Sequence, residues 1–149
     1  MADRTRASIE IGAPAAAVMA VIADLPAYPE WTGEVKQAEI LATDPDSGRA
    51  ARVRLSIDAG ALRDRQVLAY TFDGDRAVYW TLVEGEMLRS LEGSYVLTPA
   101  ETGGATTVEY TLAVDAKIPL FGMMKSKVEK VIIDRALAGL KKRVEATAR

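Results

Sequence analysis

The chain has 149 residues, 19 Lys and Arg against 21 Asp and Glu, and neither cysteine nor histidine. The net charge of -2 gives no electrostatic reason to expect a nucleic-acid partner. Without Cys there are no disulfides, thiol nucleophiles or thiolate metal sites, and without His the commonest metal ligand and neutral-pH proton carrier are missing too. No metal site and no cofactor are expected, and the length fits one domain, residues 1–149, around one core.

The N-terminus runs straight into an alternating segment, and the longest apolar run, Ala13 to Ala23, is too short to cross a bilayer. A cytoplasmic protein without integral membrane association is therefore expected. Ala7, Ile9 and Ile11 alternate with Arg6, Ser8 and Glu10, which predicts a strand buried on one face. Pro14 suits a first helical position, and Ala15 to Asp24 is a short helix former. Pro26 and Pro29 then break the helix and restart it as a second short turn carrying Tyr28 and Trp31.

From Glu34 onward the chain reads as strands punctuated by turns at Asp46-Ser47-Gly48, Ala59-Gly60-Ala61, Asp73-Gly74-Asp75, Glu84-Gly85-Glu86 and Thr102-Gly103-Gly104. This spacing predicts six strands, roughly 34–43, 49–58, 62–73, 76–84, 88–98 and 105–115, joined by hairpins and so antiparallel to their neighbours. After the breaker Ile118-Pro119 comes one helical stretch from about Leu120 to Ala148. Roughly 28 helical residues span about 42 Å. Such a helix must lie across something broad, and a strongly curved antiparallel sheet is the object the preceding strands supply. That arrangement tends to leave a hollow.

The apolar sets choose the inner face. Val53, Leu55 and Ile57 oppose Arg52, Arg54 and Ser56; Val78, Trp80 and Leu82 oppose Tyr79 and Thr81; Leu91, Tyr95 and Leu97 oppose Ser90, Glu92 and Ser94. In the 62–73 strand Leu68, Tyr70 and Phe72 compete with Val67, Ala69 and Thr71, and the larger set is assigned inward. Tyr70, Trp80, Tyr95 and Tyr110 thus share one concave face, with Trp31 at its rim. Each ring could simply fill the core; together they read as the wall of a pocket for a mostly hydrophobic ligand.

On the terminal helix Phe121, Met124, Val128, Val131 and Ile132 form one stripe, and Ile133, Leu137, Leu140 and Val144 another. The first stripe is expected to roof the hollow, with adaptable Met124 and with Val128, while the second packs elsewhere on the sheet. Lys127, Lys130, Asp134, Lys141 and Glu145 are read as solvated surface. Arg135 falls within the first stripe. Either its stem lies along apolar surface with the guanidinium in water, or it is a cation inside the cavity, poised for a ligand carboxylate or enolate. Gly139 either leaves room for a ligand or a close approach of the sheet, or is a tolerated helical glycine.

No catalytic triad can be assembled. The carboxylate pairs Asp44/Asp46, Asp73/Asp75 and Glu84/Glu86 all flank turns, and Gly103-Gly104 sits in a hairpin, so no nucleotide-binding motif exists.

The order strand, two short helices, six strands and long terminal helix resembles the helix-grip fold of the superfamily of START lipid-transfer domains, the major birch-pollen allergen and polyketide cyclases/dehydrases. The local signatures are Ile9-Glu10-Ile11-Gly12-Ala13-Pro14, Tyr28-Pro29-Glu30-Trp31, Gly93-Ser94-Tyr95, Thr106-Thr107-Val108-Glu109-Tyr110 and the terminal helix bounded by Pro119. The resemblance implies an α+β fold: a seven-stranded curved antiparallel sheet, two short helices after strand one, and a long C-terminal helix over the concave face. It also implies a hydrophobic small-molecule ligand, lipid or polyketide-like, held between sheet and helix. Its alternative is an aromatase/cyclase that folds a polyketone, closes it by aldol addition and dehydrates it, with Arg135 and buried tyrosines as donors. A chaperone-activator role, also found in the superfamily, ranks last because no large exposed apolar patch is recognisable.

Overall fold

The computed structural model describes residues 4–60, 62–117 and 122–147, with side chains from Lys125 onward in the last stretch. The chain forms β1 (Thr5–Ile11), α1 (Ala15–Ala23), a 3-10 turn (Leu25–Glu30), β2 (Val35–Thr43), β3 (Ala50–Asp58), β4 (Arg63–Asp73), β5 (Ala77–Gly85), β6 (Leu88–Pro99), β7 (Thr106–Ala116) and α2 (Gly122–Thr147). The seven strands make one antiparallel sheet in the order β1-β7-β6-β5-β4-β3-β2. This is the helix-grip architecture, and each predicted strand is present within a residue or two. Ala61, Ile118, Pro119, Leu120, Phe121 and Ala148 lie outside the described residues, as does the side chain of Met124.

The two ends of the sheet order explain the shape. β1 and β2 are neighbours in sequence but occupy opposite edges, so α1 and the 3-10 turn must carry the chain across the concave side. Pro14 adopts extended backbone (φ -64°, ψ 155°) and caps α1 from outside rather than filling its first position; its carbonyl accepts from Ala17 and Val18. Register shifts in the β2–β3 and β4–β5 pairings, the latter leaving Val83 extra on β5, bend the sheet over this layer.

Helix α2 packs chiefly on β1, β7 and α1. Val128, Ile133, Ala136, Leu137, Leu140 and Val144 are its buried residues, joining Ile11, Met19, Ile22, Leu25 and the inner sheet face in one core. Burial of such a side chain is worth about 1.5–3 kcal/mol. Glu129 is also buried. Its carboxylate accepts from Thr5 Oγ1 (2.7 Å), the Val114 amide (2.8 Å) and Lys125 Nζ (2.5 Å), which ties α2 to β1 and β7. Lys127, Lys130 and Asp134 are exposed as expected. Lys141 and Glu145 differ from that expectation: Lys141 Nζ donates to the Glu10 carbonyl and Glu145 Oε2 accepts from the Gly12 amide, so both clamp the end of β1.

Because α2 sits toward the β1–β7 side, strands β3 to β5 have no comparable helix surface against their inner face among the described residues. Their side chains must fill that space, and they do so incompletely.

Candidate functional site: a cavity between sheet and helix

The cavity lies under Ile132 and Ala136 of α2, behind Tyr28, Thr32, Glu34 and Val35, and against the inner face of β3 to β7. It offers about 60 Å³ to the centre of a water-sized sphere, inside roughly 660 Å³ of non-atom space counted out through the mouth. One water needs about 10–15 Å³ by the first measure, so the free volume suits a few waters, and a ring-sized ligand requires the walls to yield.

Its wall is a contiguous aromatic cluster. Tyr70 stacks on Trp80 at 5.6 Å between centroids, Trp80 meets Tyr95 at 5.3 Å and Tyr110 at 5.6 Å, and Tyr95 and Tyr110 lie 4.6 Å apart. Adjacent strands dictate this arrangement: Tyr70 pairs with Trp80, Trp80 with Gly93, and Tyr95 with Tyr110 across the ladder. Gly93 is obligatory. A Cβ there would lie 2.3 Å from the Trp80 ring, which rests flat on the bare backbone.

Burial holds the phenols of Tyr28, Tyr95 and Tyr110 well above their ordinary pKa, and raises Tyr70 as well. All four are therefore un-ionised at neutral pH. Tyr28 donates to the Ile22 carbonyl at 2.5 Å. The ionisation of Tyr95 is further opposed by Tyr110, Tyr28, Glu34 and Tyr70, and that of Tyr110 by Glu34 and Tyr70.

The polar part of the lining comes from Thr32, Glu34, Asp64 and Gln66, all buried. Thr32 Oγ1 donates to Glu34 Oε1 (2.5 Å), and Asp64 Oδ1 accepts from the Met87 amide (2.7 Å). Glu34 Oε2, Asp64 Oδ2 and Gln66 Oε1 have no partner among the described residues. Burial raises the pKa of Glu34, against smaller opposing effects of the Thr32 hydrogen bond and the nearby charges of Arg135 and Lys36.

A sequence profile described as "Polyketide cyclase / dehydrase and lipid transport" matches residues 2–145. The chain belongs to this family. Among solved structures, the family fold recurs in a START superfamily protein from Mycobacterium smegmatis, at 24% identity and TM-score 0.88 over 97% of this chain and 98% of that one. It recurs in the ZhuI aromatase/cyclase from a Streptomyces species at 15% identity and TM-score 0.81, covering 100% of this chain and 97% of that one. A protein from Thermus thermophilus is 26% identical with TM-score 0.80, covering 99% and 100%. No curated protein matches the sequence.

Within this polyketide cyclase and lipid transport fold, the eight residues singled out by sequence divide into four that line the cavity, three that do not, and Met124. Tyr70, Trp80, Tyr95 and Tyr110 line the cavity together. Val128 is buried in the core but is not part of the lining, and Arg135 is exposed. Trp31 packs edge-on against Tyr28 at 4.7 Å and does not line the cavity, and Gly139 allows the helix to approach the Trp31 carbonyl. Met124's side chain is not among those described. Among the described residues the roof is formed by Ile132, a member of the first stripe, and by Ala136.

Sequence reasoning overlooked Glu34, Asp64 and Gln66. For the latter two the signal was present: the alternation that sends Leu68, Tyr70 and Phe72 inward, continued backward, sends Gln66 and Asp64 inward too, and the β3–β4 register keeps that parity unbroken. The pattern was followed only through the apolar residues of the strand. Glu34 follows Thr32-Gly33 at a turn, where nothing in the pattern distinguishes it from a solvated strand-end carboxylate.

Proposed function

We propose that this protein, folded as one domain and located in the cytoplasm, binds a hydrophobic small molecule, lipid or polyketide-like, in the cavity between the sheet and α2. The observation that carries the reading is the pairing of a mostly apolar wall with polar atoms that lack protein partners. Such a lining both favours an apolar body and fixes its orientation through a few polar contacts. Tyr70, Trp80, Tyr95 and Tyr110 are the proposed contacts on the sheet side, with Ile132 and Ala136 above. Trp31, Val128 and Arg135 act on the ligand only indirectly, through the position of the 3-10 turn and of α2. Membership of a family described by both cyclisation and lipid transport supports the ligand class. No described helix is long and apolar enough to cross a membrane.

The test is extraction of the purified protein with organic solvent and mass spectrometry of the extract. An apolar compound in near-stoichiometric amount, or saturable binding of an added one, is the expected result. An empty extract together with no binding of any apolar probe would overturn the reading.

A second reading, aromatase/cyclase activity, draws on one feature. Un-ionised tyrosines near a buried carboxyl offer donors for an enolate oxygen beside a group able to exchange a proton. It predicts conversion of a polyketone, with Tyr110→Phe lowering kcat more than it raises KM. A carrier would return the same compound unchanged.

A further inference from the structure

We infer that the cavity selects an uncharged ligand that presents hydroxyl donors to Glu34, Asp64 and Gln66, and that it rejects carboxylates. This rests on the binding reading above and specifies the chemistry of its ligand.

The argument begins with the sign of the polar lining. Of the three cavity-lining oxygens without partners, Asp64 Oδ2 and Gln66 Oε1 are acceptors, and Glu34 Oε2 is an acceptor in the ionised carboxylate. Their residues are only 2%, 5% and 4% exposed, so bulk water does not satisfy them from outside. A buried acceptor left unpaired costs about 1–3 kcal/mol. A ligand that supplies an O–H recovers that loss; a ligand that brings further acceptors does not.

The second step is the absence of a counter-charge. No Lys or Arg is among the described residues that line the cavity. Lys125, half-buried on α2, is paired with Glu129 and is not part of the lining, and Arg135 and Lys36 are exposed. Residues 118–124 contain no charged residue in the sequence, so no cation comes from that segment. An incoming carboxylate would lose its hydration, meet no cation in the lining, and face two acidic side chains.

The third step is geometric. Asp64 pairs with Ile57, which pairs with Val35, next to Glu34, so these acidic groups stand at one end of the sheet. Tyr70 lies six residues beyond Asp64 on β4, about 20 Å along an extended strand. The ligand axis that fits runs from donor-bearing at the Asp64 end to aromatic or apolar against Tyr70, Trp80 and Tyr95. The tyrosine hydroxyls of the same lining can donate to a carbonyl or ether oxygen.

Isothermal titration calorimetry on the full chain with matched probes tests this: phenol and 2-naphthol, the carboxylates benzoate and 2-naphthoate, and naphthalene. The expected result is that at least one hydroxylated ring binds tenfold or more tighter than its carboxylate counterpart, and that 2-naphthol binds more tightly than naphthalene. In Glu34→Gln and in Asp64→Asn the hydroxyl-to-carboxylate ratio should shrink at least threefold. Carboxylates binding as well as the hydroxyl compounds, or ratios unchanged in both variants, would overturn the inference and leave the binding cavity intact. Naphthalene binding as tightly as 2-naphthol would also overturn it. If none of the probes binds and organic extraction yields nothing, the binding reading itself fails.

Discussion

Glu34 concentrates the electrostatics of the site in one side chain. Its pKa is raised, chiefly by burial, so the folded state holds a proton at pH values where the unfolded chain has released it. Stability from this group is therefore lost as pH rises from the unfolded value toward the folded one, the reverse of a salt-bridged carboxylate. Glu34→Gln should flatten that dependence, and its stability relative to wild type should grow as pH rises above about 4.5. Urea denaturation between pH 4 and 8 measures it. Arg135, whose charge opposes the shift, gives a paired test. Arg135→Gln should move the Glu34 titration further upward, seen by carboxyl NMR, while a cation seated in the ligand space would instead show its largest effect on ligand affinity.

At the scale of elements, two glycines and one glutamate hold the layers in register. Gly139 lies within α2, where alanine is ordinarily better by about 1 kcal/mol. Here the sign reverses, because a Cβ would fall 1.8 Å from the Trp31 carbonyl oxygen. Gly139→Ala and Gly93→Ala should each destabilise by about 1–3 kcal/mol or more through overpacking, measurable by thermal denaturation. Gly93→Ala should also displace Trp80 and change its near-ultraviolet circular dichroism. Glu129 completes a ladder: β1 begins at Thr5, opposite Leu112, so the Val114 amide lies beyond the end of its neighbour and is met by the carboxylate instead. Glu129→Ala leaves that buried amide without this acceptor and should cost about 3 kcal/mol.

The elements themselves were legible because hairpin spacing and period-two alternation are local signals, and so was the aromatic wall, which is a consequence of strand parity. Less legible was what depends on placement between layers. Helical periodicity marked Val128 and Ile132 as one stripe, but only Ile132 reaches the cavity, since the side toward which α2 is displaced follows from packing on β1, β7 and α1. For Arg135 the sequence left two alternatives, and the exposed position it takes is that of the solvent-reaching one.

Over the whole molecule, the family fold, the off-centre helix and the partly filled inner face combine into a small hollow that a ligand must enlarge. Binding to the folded state alone adds about 2.7 kcal/mol at a ligand concentration one hundred times Kd. For a chain of this length that corresponds to a rise of about 5–10 °C in Tm. Ala136, on the roof, offers the most direct test of the cavity as the binding place. Calorimetric titration of Ala136→Leu with 2-naphthol, beside its thermal melt, should show affinity reduced at least tenfold in a protein that still unfolds cooperatively. Undiminished affinity in that folded variant would contradict a ligand site between sheet and helix.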